Sequence, residues 1–159
     1  IWVTKPGTTS DALISQIDIM ATLASVVGYE IPGSQAEDSL NQLPVLSDPA
    51  GTVRTSTVHN TFPGMYGIRQ GDWVLLNGHN ISSNNKLDKK WAKKHKYPAE
   101  KQKNKMLYNL KKDIGQRNEL SNNHPEKVEV MTKLLKSILG EERYAAESNG
   151  KKTKSKKKK

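Results

Sequence analysis

Residues 66–76 constrain the fold most. Tyr66-Gly67-Ile68 and Trp73-Val74-Leu75-Leu76 are β-prone runs on either side of the polar stretch Arg69-Gln70-Gly71-Asp72. Glycine and aspartate between bulky residues are turn chemistry, so the segment reads as a β-hairpin. Further along, Met106, Tyr108 and Leu110 fall on one face of a strand and Leu107 and Asn109 on the other. Asp113-Ile114-Gly115 supplies a turn. His124-Pro125 opens a helix with proline in its first turn, and Val128, Met131, Leu134, Leu135, Ile138 and Leu139 form its apolar stripe. Two strand blocks before one strong helix predict an α+β unit, a small antiparallel sheet packed against a C-terminal helix.

The N-terminal third reads differently. Lys5-Pro6-Gly7 turns an extended start, and residues 12–17 could finish a strand. Asp18 is a good N-cap for a helix through Leu23 and Val27 that stops at Gly28. Leu23, Ala24 and Val27 would mark its buried face. Residues 30–51, with several prolines and small polar side chains, read as irregular connection. Residues 53–57 alternate as a strand does, and 77–104 read as one long, partly lysine-rich loop. The expected organisation is therefore 1–50 as a helix with its connection, 51–147 as the α+β unit, and 148–159 as a disordered lysine-rich tail.

Charge separates the same regions. The net charge of +10 comes from two places. Residues 151–159 hold seven lysines and no acid, and 86–112 hold eleven lysines against Asp88 and Glu100. The remaining body is net acidic, which argues against a stand-alone basic module for nucleic acid or another polyanion, the main alternative reading. Cysteine is absent, excluding disulfides, a thiolate nucleophile and a Cys-based zinc site. No apolar run approaches membrane-spanning length.

Five segments, in order, resemble the C-terminal region of formylglycine-dependent (type I) sulfatases of the alkaline-phosphatase superfamily. Ser15-Gln16-Ile17-Asp18-Ile19-Met20-Ala21-Thr22-Leu23 is similar to the family's Gln-x-Asp-Leu-x-Pro-Thr-Leu segment. Asp38-Ser39-Leu40-Asn41-Gln42-Leu43-Pro44-Val45-Leu46 resembles Asp-Gly-x-Ser-Leu-x-Pro-Leu-Leu. Ile68-Arg69-Gln70-Gly71-Asp72-Trp73-Val74-Leu75 resembles Ile-Arg-x-Gly-x-Trp-Lys-Leu. Leu107-Tyr108-Asn109-Leu110-Lys111-Lys112-Asp113, running on to Asn118-Glu119-Leu120, resembles the Leu-Tyr-Asp/Asn-Leu segment, and His124-Pro125-Glu126 the family's last helix start. Val74 stands where lysine is usual, Ala21 and Ile114 where proline is, and Gln116 where glutamate is.

The resemblance implies a parent that hydrolyses sulfate esters, expected to be those of a sulfated carbohydrate, in the periplasm or outside the cell. It implies a nucleophile made from Cys/Ser-x-Pro-Ser/Ala-Arg, a calcium ion held by oxygen ligands, and a His or Lys that protonates the leaving alcohol. Ser47-Asp48-Pro49-Ala50-Gly51 matches that motif except that Gly51 replaces its arginine, and it reads as a Ser-Asp-Pro turn. No Asp-Asn or Asp-Gln pair is present. Catalytic residues and calcium ligands are therefore expected in a missing N-terminal α/β catalytic domain, the implied partner, of which the resemblance makes residues 1–50 the tail end, and the chain alone is expected to be inactive. A related phosphoester hydrolase would share that core. Substrate recognition could remain here. The resemblance suggests a sugar-facing role for His59, whose imidazole can donate and accept hydrogen bonds, and less strongly for Asn60. Trp91, among Lys89, Lys90, Lys93, Lys94 and Lys96, suits an anionic sugar. Arg69 reads as a structural ion-pair residue.

Overall fold

The computed structural model describes residues 6–62, 65–82, 88–97 and 102–148, so the expected disordered tail lies outside the described residues. The chain forms two compact units that divide after Thr57, seven positions beyond residue 50.

The first unit is built around helix α1 (Asp18–Val27) and the short helix α2 (Leu43–Ser47). Gly28 ends α1 in the left-handed region, φ 69°, letting the Tyr29 N–H reach back to the Ala24 carbonyl at 2.8 Å. Residues 11–15 have no regular structure, so the strand expected over 12–17 does not form. The buried face of α1 also differs from expectation. Leu23 and Val27 are 58% and 75% exposed, whereas Asp18, Thr22 and Ala24 are buried.

A polar centre explains that choice of face. Asp18 is the first helical residue rather than a cap, and it is fully buried. Arg54 donates to its carboxylate through Nη2 and, at 2.8 Å, through Nε. The N–H groups of Ser15 and Leu40 and the Gln42 amide complete the set at 2.9, 2.9 and 3.0 Å. The Thr22 hydroxyl accepts from the Gln42 N–H at 3.0 Å. A buried charge needs these partners, so helix and connection are locked by hydrogen bonds rather than by Leu23 and Val27.

The second unit is an α+β arrangement. Strands β1 (Ser56–Phe62), β2 (Met65–Gln70), β3 (Trp73–Ser82) and β4 (Gln102–Asn109) form an antiparallel sheet in the order β1-β2-β3-β4. Helix α3 (Lys89–Lys94) lies in the β3–β4 connection, and α4 (Pro125–Leu139) and α5 (Glu141–Ser148) follow the sheet. Gln70 pairs with Trp73, leaving Gly71-Asp72 as a two-residue turn with Gly71 at φ 55°, as the hairpin reading required. Strand β1 starts at Ser56, not at residue 53. Nor is 77–104 a loop throughout: β3 runs to Ser82 and pairs with Gln102, with a register irregularity between Asn77 and Ile81. Pairing with β4 extends a strand through Asn77-Gly78-His79-Asn80, against local propensity.

One sheet face carries the core. Tyr66, Ile68, Leu75 and Leu107 meet Met131 and Leu135 of α4 and Tyr144 of α5, with Val58, Trp73, Val128, Leu134 and Leu139 at the margin. Ile138, expected in the stripe, is 48% exposed. Helix α5 was not expected as a separate element. Gly140, at φ 81°, ends α4, and α5 brings the Tyr144 hydroxyl to Asn77 Oδ1 at 3.0 Å while Arg143 Nε donates to the Tyr66 hydroxyl at 3.1 Å. On the other face Met106 and Tyr108 pack with Met65 and Leu76. Val74 is buried opposite Tyr108, which accounts for an apolar residue at this position. The segment after β4 returns beside it: Leu120 N–H donates to Leu107 O at 2.8 Å, and Glu119 accepts the Leu107 N–H at 3.1 Å and an ammonium proton of Lys103. These bonds occupy backbone groups that an outer strand would otherwise expose. Among the described residues no helix is long and apolar enough to cross a membrane.

Candidate functional site

His59 projects from β1 over the backbone of Gly67 in β2. A Cβ built on Gly67 would lie 2.3 Å from His59 Nε2 and 2.6 Å from Cε1. Only glycine leaves room for the ring in this place. The imidazole remains exposed, with its hydrogen-bonding capacity available to a ligand. Next to it, Asn60 Nδ2 donates to the Met65 carbonyl at 3.1 Å, so its amide braces the β1–β2 connection. Arg69 Nε donates to the Gly71 carbonyl at 3.0 Å, holding the β2–β3 turn.

Trp91 belongs to a different cluster. Asp88 caps α3 by accepting the Trp91 N–H at 2.8 Å. Beyond the helix Lys96 adopts φ 53°, and the Tyr97 N–H returns to the Ala92 carbonyl at 2.8 Å. This Schellman-type turn folds Tyr97 back onto the helix. The Trp91 ring lies 4.3 Å from His95 and 5.5 Å from Tyr97, and the Arg117 guanidinium sits 4.8 Å from the Tyr97 ring centre. His95 and Tyr97 belong to the same run of interleaved cations and aromatics as Trp91, whereas Arg117 was not singled out from the sequence. The four-residue spacing of Trp91 and His95 was a usable signal. Nothing local announced Arg117, which arrives from the segment after β4.

Two of the resembling segments also meet. Trp73, from the hairpin segment, meets His124, at the last helix start, edge to face at 5.1 Å. The Ser47 region is a turn, as expected: Ser47 Oγ donates to the Leu43 carbonyl at 3.0 Å, and the Gly51 N–H closes on Asp48 O at 2.8 Å. Arg54 is committed to Asp18. Among the described residues no three His, Asp or Glu side chains gather in a metal-binding group.

No protein-family model matches the chain. An N-acetylgalactosamine-6-O-sulfatase of Bacteroides thetaiotaomicron is 29% identical over 127 residues, covering 80% of this chain and 24% of the relative. Among solved structures, one from work on the metabolism of multiple glycosaminoglycans by Bacteroides thetaiotaomicron matches with TM-score 0.62 and 26% identity, over 80% of this chain and 25% of its own. Another, a protein in complex with its substrate D-glucosamine-2-N,6-O-disulfate, shares the fold at TM-score 0.57 and 20% identity, over 90% of this chain and 27% of its own. The chain thus spans about a quarter of the length of these relatives. With the ordered segments and the four-stranded antiparallel sheet, these likenesses make the chain similar to the C-terminal region of sulfatases.

Proposed function

We propose that the protein carrying this chain is a sulfuric ester hydrolase acting on a sulfated carbohydrate, and that this chain completes its fold and forms part of the substrate pocket. The observation that carries the reading is the 29% identity to an N-acetylgalactosamine-6-O-sulfatase over 127 residues. A 6-O-sulfated aminosugar is accordingly the first substrate to test. In this reading the nucleophile, the general acid and the ligands of a calcium ion belong to an N-terminal catalytic domain, and calcium supplies charge neutralisation of the sulfate when bound. The exposed apolar residues of α1, Leu23 and Val27 above all, are the surface on which that domain would pack. His59, held over Gly67, contacts the sugar hydroxyls; Asn60 keeps its strand end in place; Trp91 makes a second contact. A periplasmic or extracellular location follows from the same kinship.

The test compares the full-length protein with the 159-residue chain. With calcium present, the full-length protein should release sulfate from 6-O-sulfated N-acetylgalactosamine, and the chain alone should release none. His59→Ala in the full-length protein should raise KM. Absence of turnover on every sulfated sugar tried, with turnover of phosphate esters instead, would overturn the reading. Turnover of an aryl sulfate by the chain alone would overturn the division of labour.

A further inference from the structure

The cluster around Trp91 has a composition that anchoring alone does not account for. An indole recruited only to pin α3 down would be buried, yet Trp91 remains 44% exposed and His95 beside it is exposed. Tyr97 and the Arg117 guanidinium complete a surface of three rings and one cation. Helical geometry arranges the lysines around it unequally. Trp91 and His95, four residues apart, share one side of α3. Lys90 and Lys94 line the adjoining strip, and Lys89 and Lys93 fall on the opposite side. All four are exposed, and none forms an ion pair with a described residue.

We infer that Trp91, His95, Tyr97 and Arg117, with Lys90 and Lys94, form a second subsite, separate from His59, that holds a further residue of a sulfated polysaccharide. The aromatic faces meet the apolar face of a sugar ring, and the ammonium and guanidinium groups meet its sulfates. Charge complementarity selects the occupant. The cations are local and the remaining body is net acidic, so the surface suits a short anionic stretch rather than a long phosphate backbone. His59 is on β1 and α3 lies in the connection between β3 and β4, so the two contacts are carried by different elements. The inference rests on the sulfatase reading for the identity of the polymer but not for the existence of the binding surface.

The experiment uses the full-length protein in two arms. In the first, binding of chondroitin 6-sulfate oligosaccharides is followed by calorimetry, with desulfated chondroitin and poly(U) as controls. Lys90→Gln/Lys94→Gln, which changes only exposed side chains, and Trp91→Ala should each weaken binding about tenfold. Lys89→Gln/Lys93→Gln should leave it unchanged, and the desulfated polymer should bind weakly. In the second arm, Lys90→Gln/Lys94→Gln should raise KM for the polymer and leave kcat/KM for a 6-sulfated monosaccharide unchanged. Equal effects of the two lysine pairs, equal affinity for poly(U), or polymer binding insensitive to both Trp91 and Lys90/Lys94 would overturn the inference. If sulfate is not released from either substrate, the sulfatase reading fails, while the calorimetric arm still decides whether the surface binds sulfated glycan.

Discussion

The imidazole of His59 lies across the backbone of Gly67, in space that any side chain would occupy: a Cβ there would stand 2.3 Å from Nε2. A glycine inside a strand is ordinarily a weakness, and here it seats a polar ring on the sheet surface. Gly67→Ala should therefore displace His59 while leaving the sheet intact. In the full-length protein we expect it to reproduce the kinetic effect of His59→Ala, a drop of about tenfold in kcat/KM, the scale of one or two lost hydrogen bonds. Circular dichroism should remain native. If Gly67→Ala has wild-type kinetics, the position of His59 is irrelevant to the substrate.

Asp18 and Arg54 make the first unit sensitive to acid. The hydrogen bonds from Arg54 outweigh the burial penalty and hold the Asp18 carboxyl well below its ordinary value of 3.8. Its contribution to stability is thus complete above pH 3.8 and is lost as pH falls below that value. Asp18→Asn leaves Arg54 buried without its anion and should destabilise the unit by about 3–5 kcal/mol. Asp18→Leu combined with Arg54→Met should be closer to wild type. Hydrogen exchange of the α1 amides between pH 3 and 7 would measure both, and unchanged protection in Asp18→Asn would refute the assignment.

At the alkaline end Tyr108 is the group to watch. Burial, with help from the Glu119 and Asp113 charges, pushes its phenol from 10.0 up to about 12. A folded value above the unfolded one means stability that is full below pH 10 and declines as pH rises towards 12. The melting temperature of wild type should fall relative to that of Tyr108→Phe across that range, because only the wild type carries this titration. Parallel curves would remove Tyr108 from the explanation.

The apolar stripe of α4 offers a packing test. Leu135 is fully buried against the sheet and Ile138, three residues on, is 48% exposed. Leu135→Ala should destabilise the second unit by about 2–5 kcal/mol, whereas Ile138→Ala should fall within about 1 kcal/mol. Urea denaturation followed by Trp73 fluorescence distinguishes them. Equal losses would mean that α4 faces the sheet differently.

Much of the second unit is legible in local residue patterns. The β2–β3 hairpin needs only bulky residues around Gly71-Asp72, and α4 needs only a proline start and a helical apolar period. The alternation of Leu107 with Met106 and Tyr108 correctly separates the two faces of β4. The extension of β3 to Ser82 was not legible, because hydrogen bonds to β4, not the propensities of Asn77-Gly78-His79-Asn80, create it. Helix α5 and Tyr144 escaped for a similar reason: after Gly140 the segment has little apolar periodicity, and Tyr144 enters the core as a single residue.

The sequence by itself determined the α+β class, the hairpin, the last helix and the likeness to sulfatases, because turn chemistry, periodicity and ordered motifs are properties of neighbouring residues. The tertiary structure alone decided which face of α1 is buried, since that depended on Arg54 reaching Asp18 from a distant segment. It alone seated His59 on Gly67 and brought Arg117 to Tyr97. Long-range pairings of polar and aromatic groups leave no period in the chain; they exist only once the backbone has placed the partners within hydrogen-bonding or stacking distance.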